Sequence, residues 1–229
     1  MEKLTRILAI AEGEATGRVV LDKAMRLARG FGAQVELLVT DLALLPELAA
    51  RCAAHADVPL AIDGSGPAAG ESTESHLLRR IVECQPDMVI KAPAGAHPLR
   101  PWSLHAGDRR LVAACTVPVL LVRMKAWSEP LRMAAAVDVS DREAALVARG
   151  VLQSAGFLSL GLHGNLDILY TEREARDETL RTERAVKLAR LVREFYVGSE
   201  RLQVFDGPPE TRCPRCSARA STTCWCSAG

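Results

Sequence analysis

The 229-residue chain is poor in aromatic residues: four Phe, three Trp and two Tyr make up 4% of it. Any core must therefore be built from Leu, Val, Ile and Ala. An excess of one charge is also lacking, with 29 Lys and Arg against 28 Asp and Glu and a formal net charge of +1. That balance points to no nucleic-acid groove and no polybasic membrane contact. No segment reaches the roughly 18 to 20 apolar residues of a membrane span. The N-terminus, Met1-Glu2-Lys3-Leu4-Thr5-Arg6, has neither the apolar stretch nor the cleavage site of a signal peptide. The cytoplasm is the expected location. Cys52, Cys84 and Cys115 are scattered singly and read as small buried hydrophobes in a reducing compartment.

What is present is a repeated alternation. Ile7-Leu8-Ala9-Ile10-Ala11 is a nearly continuous apolar run, the pattern of a strand covered on both faces. Val20, Leu21, Ala24, Leu27, Ala28 and Phe31 then share one helical face, with Gly30 and Gly32 available to end it. Further strands are predicted at residues 35–39, 58–62 and 87–90 and in the run Val117-Pro118-Val119-Leu120-Leu121-Val122. Helices are predicted between them at 42–55, 75–85 and 109–115. The alternation argues for a parallel, doubly wound five-stranded sheet. After a linker the pattern restarts, with strands at 133–138, 166–170 and 202–205 and helices at 142–160 and 172–197. The result is an α/β fold in tandem repeat with an incomplete second copy, the repeat being roughly 125 residues. Residues 4–124 form the first domain, 125–131 the linker, 132–211 the partial second domain and 212–229 a tail of different character.

The tail has no aliphatic periodicity. Cys213, Cys216, Cys224 and Cys226 form a CxxC…CxC cluster that could hold zinc tetrahedrally. The genetic code offers another reading. Thr is ACN, Cys TGY and Trp TGG. Residues 222–227, read two bases later, become NAC, NTG, YTG, GTG and YTC. With GC-rich codon choices the tail then reads Leu-Pro-Ala-Leu-Leu-Gly-Ala-Arg-Gln-Tyr-Asp-Val-Leu-Val-Leu-Gly, a helix followed by a buried strand. The repeat calls for that pattern here, since Leu77-Leu78-Arg79-Arg80-Ile81 leads to Asp87-Met88-Val89-Ile90 in the first half. The tail is therefore expected to be out of frame, through a frameshift or a sequencing error.

Four segments together resemble the universal stress protein family in its tandem, two-domain form. They are Thr5-Arg6-Ile7-Leu8-Ala9-Ile10 with the helix after it, Pro86-Asp87-Met88-Val89-Ile90-Lys91, Cys115-Thr116 with the strand after it, and Ala134-Ala135-Ala136-Val137-Asp138-Val139-Ser140. The resemblance runs from Leu4 to about Thr211. It implies a five-stranded sandwich like that of the adenine-nucleotide hydrolases, a cytoplasmic location and induction under stress. It also implies dimers, or pseudo-dimers within a tandem chain, formed by last-strand pairing. Some members bind ATP; others, including many tandem ones, lack the nucleotide motif.

An open parallel sheet takes ligands at the carboxyl ends of its strands, where strand order reverses. In ATP-binding members a carboxylate follows the first strand, and a Gly-x2-Gly-x9-Gly-Ser/Thr loop follows the fourth. The first domain departs from both, with Ala11-Glu12 after its first strand and a proline-containing loop from Lys91 to Asp108. That loop carries Lys91, His97, Arg100 and His105. Together they form a candidate anion site, or else a solvated basic loop in which Trp102 packs as an anchor and Asp108 caps the next helix. In the second domain Asp138, Val139 and Ser140 match the family's first-strand motif and are candidate nucleotide contacts. The alternative is that Asp138 and Ser140 cap the following helix with Asp141. No catalytic constellation stands out, and His76 and His163 read as surface histidines.

The expectation is a universal stress protein that binds and regulates in the cytoplasm and is not an enzyme. No cofactor is expected, and neither nucleic acid nor membrane is a partner. The chain is expected to pair as a homodimer or pseudo-dimer through the strand from Val117 to Val122. The rivals are an ATP-binding switch with weak hydrolysis and a zinc module at the four C-terminal cysteines.

Overall fold

The computed structural model describes residues 3–94, 104–139, 141–172, 178–195, 202–206 and 223–226. The chain divides into two compact units between Lys125 and Ala126.

The first unit runs β1 (Arg6–Ala11), α1 (Glu14–Phe31), β2 (Gln34–Val39), a 3-10 turn (Leu42–Leu44), α2 (Leu45–Ala53), β3 (Leu60–Asp63), α3 (Thr73–Cys84), β4 (Met88–Lys91), α4 (Ala106–Ala114) and β5 (Val119–Leu121). The five strands form one sheet in the order β3-β2-β1-β4-β5, and every neighbouring pair is parallel. β1 and β4 lie in the interior of that sheet, so both of their faces are covered. Ile7, Leu8, Ala9 and Ile10, with Met88, Val89 and Ile90, are therefore all buried. One face is closed by Leu77 and Ile81 of α3 and Leu111 of α4, packed on Leu8, Ile10, Leu38 and Val89.

Local chemistry sets the element ends. α1 begins at Glu14, earlier than the apolar pattern alone shows, because its first turn is polar. It ends at Gly32, whose φ of 64° is left-handed backbone that glycine adopts without cost. α1 lies close to the sheet at Gly17, where a Cβ would come within 3.2 Å of the Ala11 Cβ. The helix predicted over 42–55 is a 3-10 turn followed by α2, with Pro46 in the first helical turn, where its missing N–H is harmless. Asp87 ties β4 to β1: its Oδ2 accepts from the Thr5 N–H at 2.7 Å, the Thr5 hydroxyl at 2.8 Å and the Arg6 N–H at 3.0 Å.

The second unit contains β6 (Arg132–Val137), α5 (Arg142–Gly161), β7 (Asn165–Glu172), α6 (Glu178–Glu194), β8 (Leu202–Asp206) and β9 (Thr223–Cys226). Its four strands lie in the order β8-β7-β6-β9, again all parallel. This sheet is a partial second copy of the first. β6 stands where β1 does, β7 where β2 does, β8 where β3 does and β9 where β4 does. Registers agree as well: Ile7 pairs with Val35 and Met88, and Met133 pairs with Leu166 and Thr223. No counterpart of β5 occurs among the described residues. Residues 223–226 of the cysteine-rich tail thus belong to the second sheet.

α5 corrects one expectation from the sequence. Its residues Glu143–Gly161 are long and apolar enough, by length and composition, to cross a membrane. In this unit Ala148, Leu152, Ala155 and Leu158 form its buried face, which packs on β6. Leu146 and Leu160 are exposed.

Candidate functional site

Strand order reverses between β1 and β4. From β1 the chain runs outward to β2 and β3, then returns to β4 on the other side. The carboxyl ends of these two neighbours flank the crevice that open α/β sheets use for ligands. Here a side chain bridges it. Lys91, the last residue of β4, is 3% exposed, and its ammonium contacts Glu12, just past the end of β1. The same Nζ lies 2.9 Å from Asp108 Oδ1 in the first turn of α4 and donates to the Ala92 carbonyl at 3.1 Å. Asp108 is 2% exposed, and its Oδ2 accepts from the Ala94 N–H at 2.7 Å.

Burial by itself pulls the Lys91 pKa down, but hydrogen bonds and attraction from Glu12 and Asp108 outweigh it and leave the pKa raised. Lys91 is therefore a held cation whose charge is already met by two carboxylates. An incoming anion would have to displace one of them.

The structure separates the candidate residues. Lys91 faces inward, into this bridge. His105 is exposed and is the N-cap of α4, its Nδ1 accepting from the Gly107 N–H at 3.3 Å. Asp108, considered above as that cap, instead reaches Lys91 and Ala94. His97, Arg100 and Trp102 lie outside the described residues. In the second unit Asp138 is exposed and Val139 is buried, while Ser140 lies outside the described residues. Capping of α5 falls to Asp141, whose Oδ1 accepts from the Ala144 N–H at 2.8 Å. Matching the two registers puts Cys226 at the place of Lys91, because Lys91 pairs with Ile10 and Cys226 pairs with Ala136, the equivalent position. Cys213 and Cys216 lie outside the described residues; among the described residues no group of three or more His, Cys, Asp or Glu could hold a metal ion.

His76 is not a surface residue. It is fully buried: Nε2–H donates to the Ser65 carbonyl at 3.0 Å, and Nδ1 accepts from Arg79 at 2.9 Å, which assigns the proton to Nε2. It ties α3 to the loop before it. The sequence hides this because Ser65 meets it only through the folded path of that loop. His163 is exposed, as expected.

A shallow pocket of about 540 Å³ lies at the other end of the sheet, beside Arg6, Gln34, Glu36, Arg80 and Cys84. Its Arg80 is paired with carboxylates, although the buried Nε of that residue has no hydrogen-bond partner among the described residues. Arg80 reaches Glu36 and Asp63 at 2.6 Å each and Glu83 at 2.7 Å. The Cys84 thiol donates to Glu36 at 2.9 Å, and burial together with that carboxylate pushes its pKa up to about 12. Such a thiol stays protonated and is a poor nucleophile.

A five-stranded parallel sheet in the order 3-2-1-4-5, wound with helices and closed by side chains at its switch point, defines a doubly wound α/β protein. Its fold is that of the universal stress proteins. A protein of Pseudomonas aeruginosa UCBPP-PA14 described as a universal stress protein superposes with a TM-score of 0.80 at 19% identity, over 97% of this chain and 82% of its own. A functionally unknown protein from Pseudomonas aeruginosa PAO1 gives the same values. A universal stress protein from Archaeoglobus fulgidus DSM 4304 superposes with a TM-score of 0.65 at 15% identity, over 94% of this chain and 84% of its own. No protein-family model and no curated protein matches the sequence.

Proposed function

We propose that this chain is a tandem universal stress protein that acts in the cytoplasm by binding and regulation, without catalysis, and that its first unit does not take ATP. The observation that carries the reading is the bridge from Lys91 to Glu12 and Asp108. It fills the switch point with one ammonium and two carboxylates, an ion cluster with an excess of negative charge and two of its three members buried, where a nucleotide's phosphates would need free N–H donors and an open crevice. Alignment of both units with the Pseudomonas aeruginosa folds supports the tandem reading. Pairing of chains would run through β5, whose Val119 and Leu121 are half-buried at the edge of the sheet.

Equilibrium dialysis of the purified chain against radiolabelled ATP tests the nucleotide part. No retention is expected at 100 μM nucleotide, and stoichiometric retention that survives Asp138→Ala would overturn it by putting ATP in the first unit.

The reading of the tail as a lost frame belongs to the same proposal. β9 supports it: Thr223 takes the register of Met88, the residue that follows Asp87 in the first unit. The alternative frame encodes an Asp followed by Val-Leu-Val-Leu within one residue of that place. Sequencing the gene across codon 211 tests it. A single intact frame, with Arg212 to Gly229 present in the mass of the natural protein, sinks it.

A further inference from the structure

We propose that Lys23 is a latch: its ammonium on α1 pins the peptide that leaves the first unit, and segment 123–125 is freed only when this side chain lets go. Lys23 is 7% exposed on a helix whose inward face is otherwise apolar apart from Gly17. An ammonium has three donors and no acceptor, and one taken out of water needs oxygen partners. Lys23 finds two of them a hundred residues along the chain. Its Nζ donates to the Arg123 carbonyl in a short contact and to the Lys125 carbonyl at 2.9 Å. Burial lowers its pKa to about 8, which still leaves the ammonium as the main form at neutral pH.

The position of these acceptors gives the contact its meaning. The sheet's hydrogen bonding along this stretch ends where the Val122 N–H donates to the Lys91 carbonyl at 2.8 Å. Beyond it the Arg123, Met124 and Lys125 side chains are exposed, and the chain passes into its second compact unit directly after Lys125. Lys23 thus takes over where the sheet stops holding the backbone. Two carbonyls with one residue between them are bound by one cation, which fixes the path of the segment as well as its end.

Trypsin reads this directly. The two pinned carbonyls belong to the bonds Arg123–Met124 and Lys125–Ala126, both tryptic sites with exposed basic side chains, and a protease must free several residues of backbone to cut either. In the wild type, cleavage at these bonds is expected to need unfolding of the unit, so its rate rises with urea in step with the unfolding curve. Lys23→Met keeps the apolar stem and removes the donors. Two charge-assisted hydrogen bonds govern local opening, so cleavage at these two bonds without urea should speed up at least about tenfold. Lys23→Arg, which keeps a cation, should lose less protection. The proposal is overturned if the folded Lys23→Met protein is cut at the wild-type rate. It is equally overturned if the wild type is cut there without urea as fast as an unfolded peptide of the same sequence. The wild-type measurement decides alone should Lys23→Met not fold.

Discussion

Lys91 Nζ stands 2.9 Å from Asp108 Oδ1, an ion pair in which both partners are almost wholly buried and which joins the end of β4 to the start of α4. Removing one member leaves the other charged, buried and unmatched. Lys91→Met should therefore destabilise the first unit by about 3–5 kcal/mol, read as a lower urea midpoint. The double variant Lys91→Met/Asp108→Asn should recover part of that loss, because no uncompensated carboxylate then remains at Asp108.

Asp87 holds the amino ends of β1 and β4 together through one oxygen that accepts three hydrogen bonds. Burial works against its ionised form, yet the bonds from Thr5 and Arg6 keep its pKa below the usual carboxylate value. Asp87→Ala should cost about 1–3 kcal/mol in urea denaturation. Thr5→Ser, which keeps the hydroxyl donor, should cost much less than Thr5→Ala.

Glu71 carries the clearest dependence on acid. Arg79, followed by the Ala68 N–H, lowers its pKa from 4.5 to about 2. The folded value lies below the unfolded one, so this contribution is complete above the ordinary carboxylate range and is lost as pH falls from about 4.5 to about 2. Urea midpoints measured across that interval should drop more steeply for the wild type than for Glu71→Gln.

Gly32 ends α1 with left-handed backbone and open space around its Cα. Gly32→Ala meets no clash, so only the cost of that conformation remains. A loss of about 1 kcal/mol is expected in thermal or urea unfolding. A gain in stability would show that the helix terminates in another way.

Much of the sheet is legible in the sequence because covered strands leave a direct trace. Ile7 to Ala11 can be apolar throughout only if both faces are buried, and the same holds for Met88 to Ile90. Lys91 is visible too, as a charge directly after such a run. Its partners are not, because Glu12 and Asp108 reach it only once β1 and β4 pair and α4 folds back. Lys23 is hidden for a similar reason, since its acceptors are backbone carbonyls a hundred residues away and leave no mark on side-chain pattern. His76 misleads because it stands beside charged and apolar neighbours alike, and its burial depends on a loop that has no periodicity. β9 is the hardest element to read, since a strand of Thr, Cys, Trp and Cys shows none of the aliphatic pattern of β4 although it shares its register.

The three bonds to Asp87 also bear on synthesis. Thr5 and Asp87 are separated by 82 residues, and the central strand β1 meets its neighbour β4 only across that distance. While the ribosome is still making α3, β1 already has β2 beside it but keeps one side without backbone partners. The nascent chain must therefore carry an apolar, half-paired strand until β4 emerges, the interval in which a holdase chaperone has most to shield.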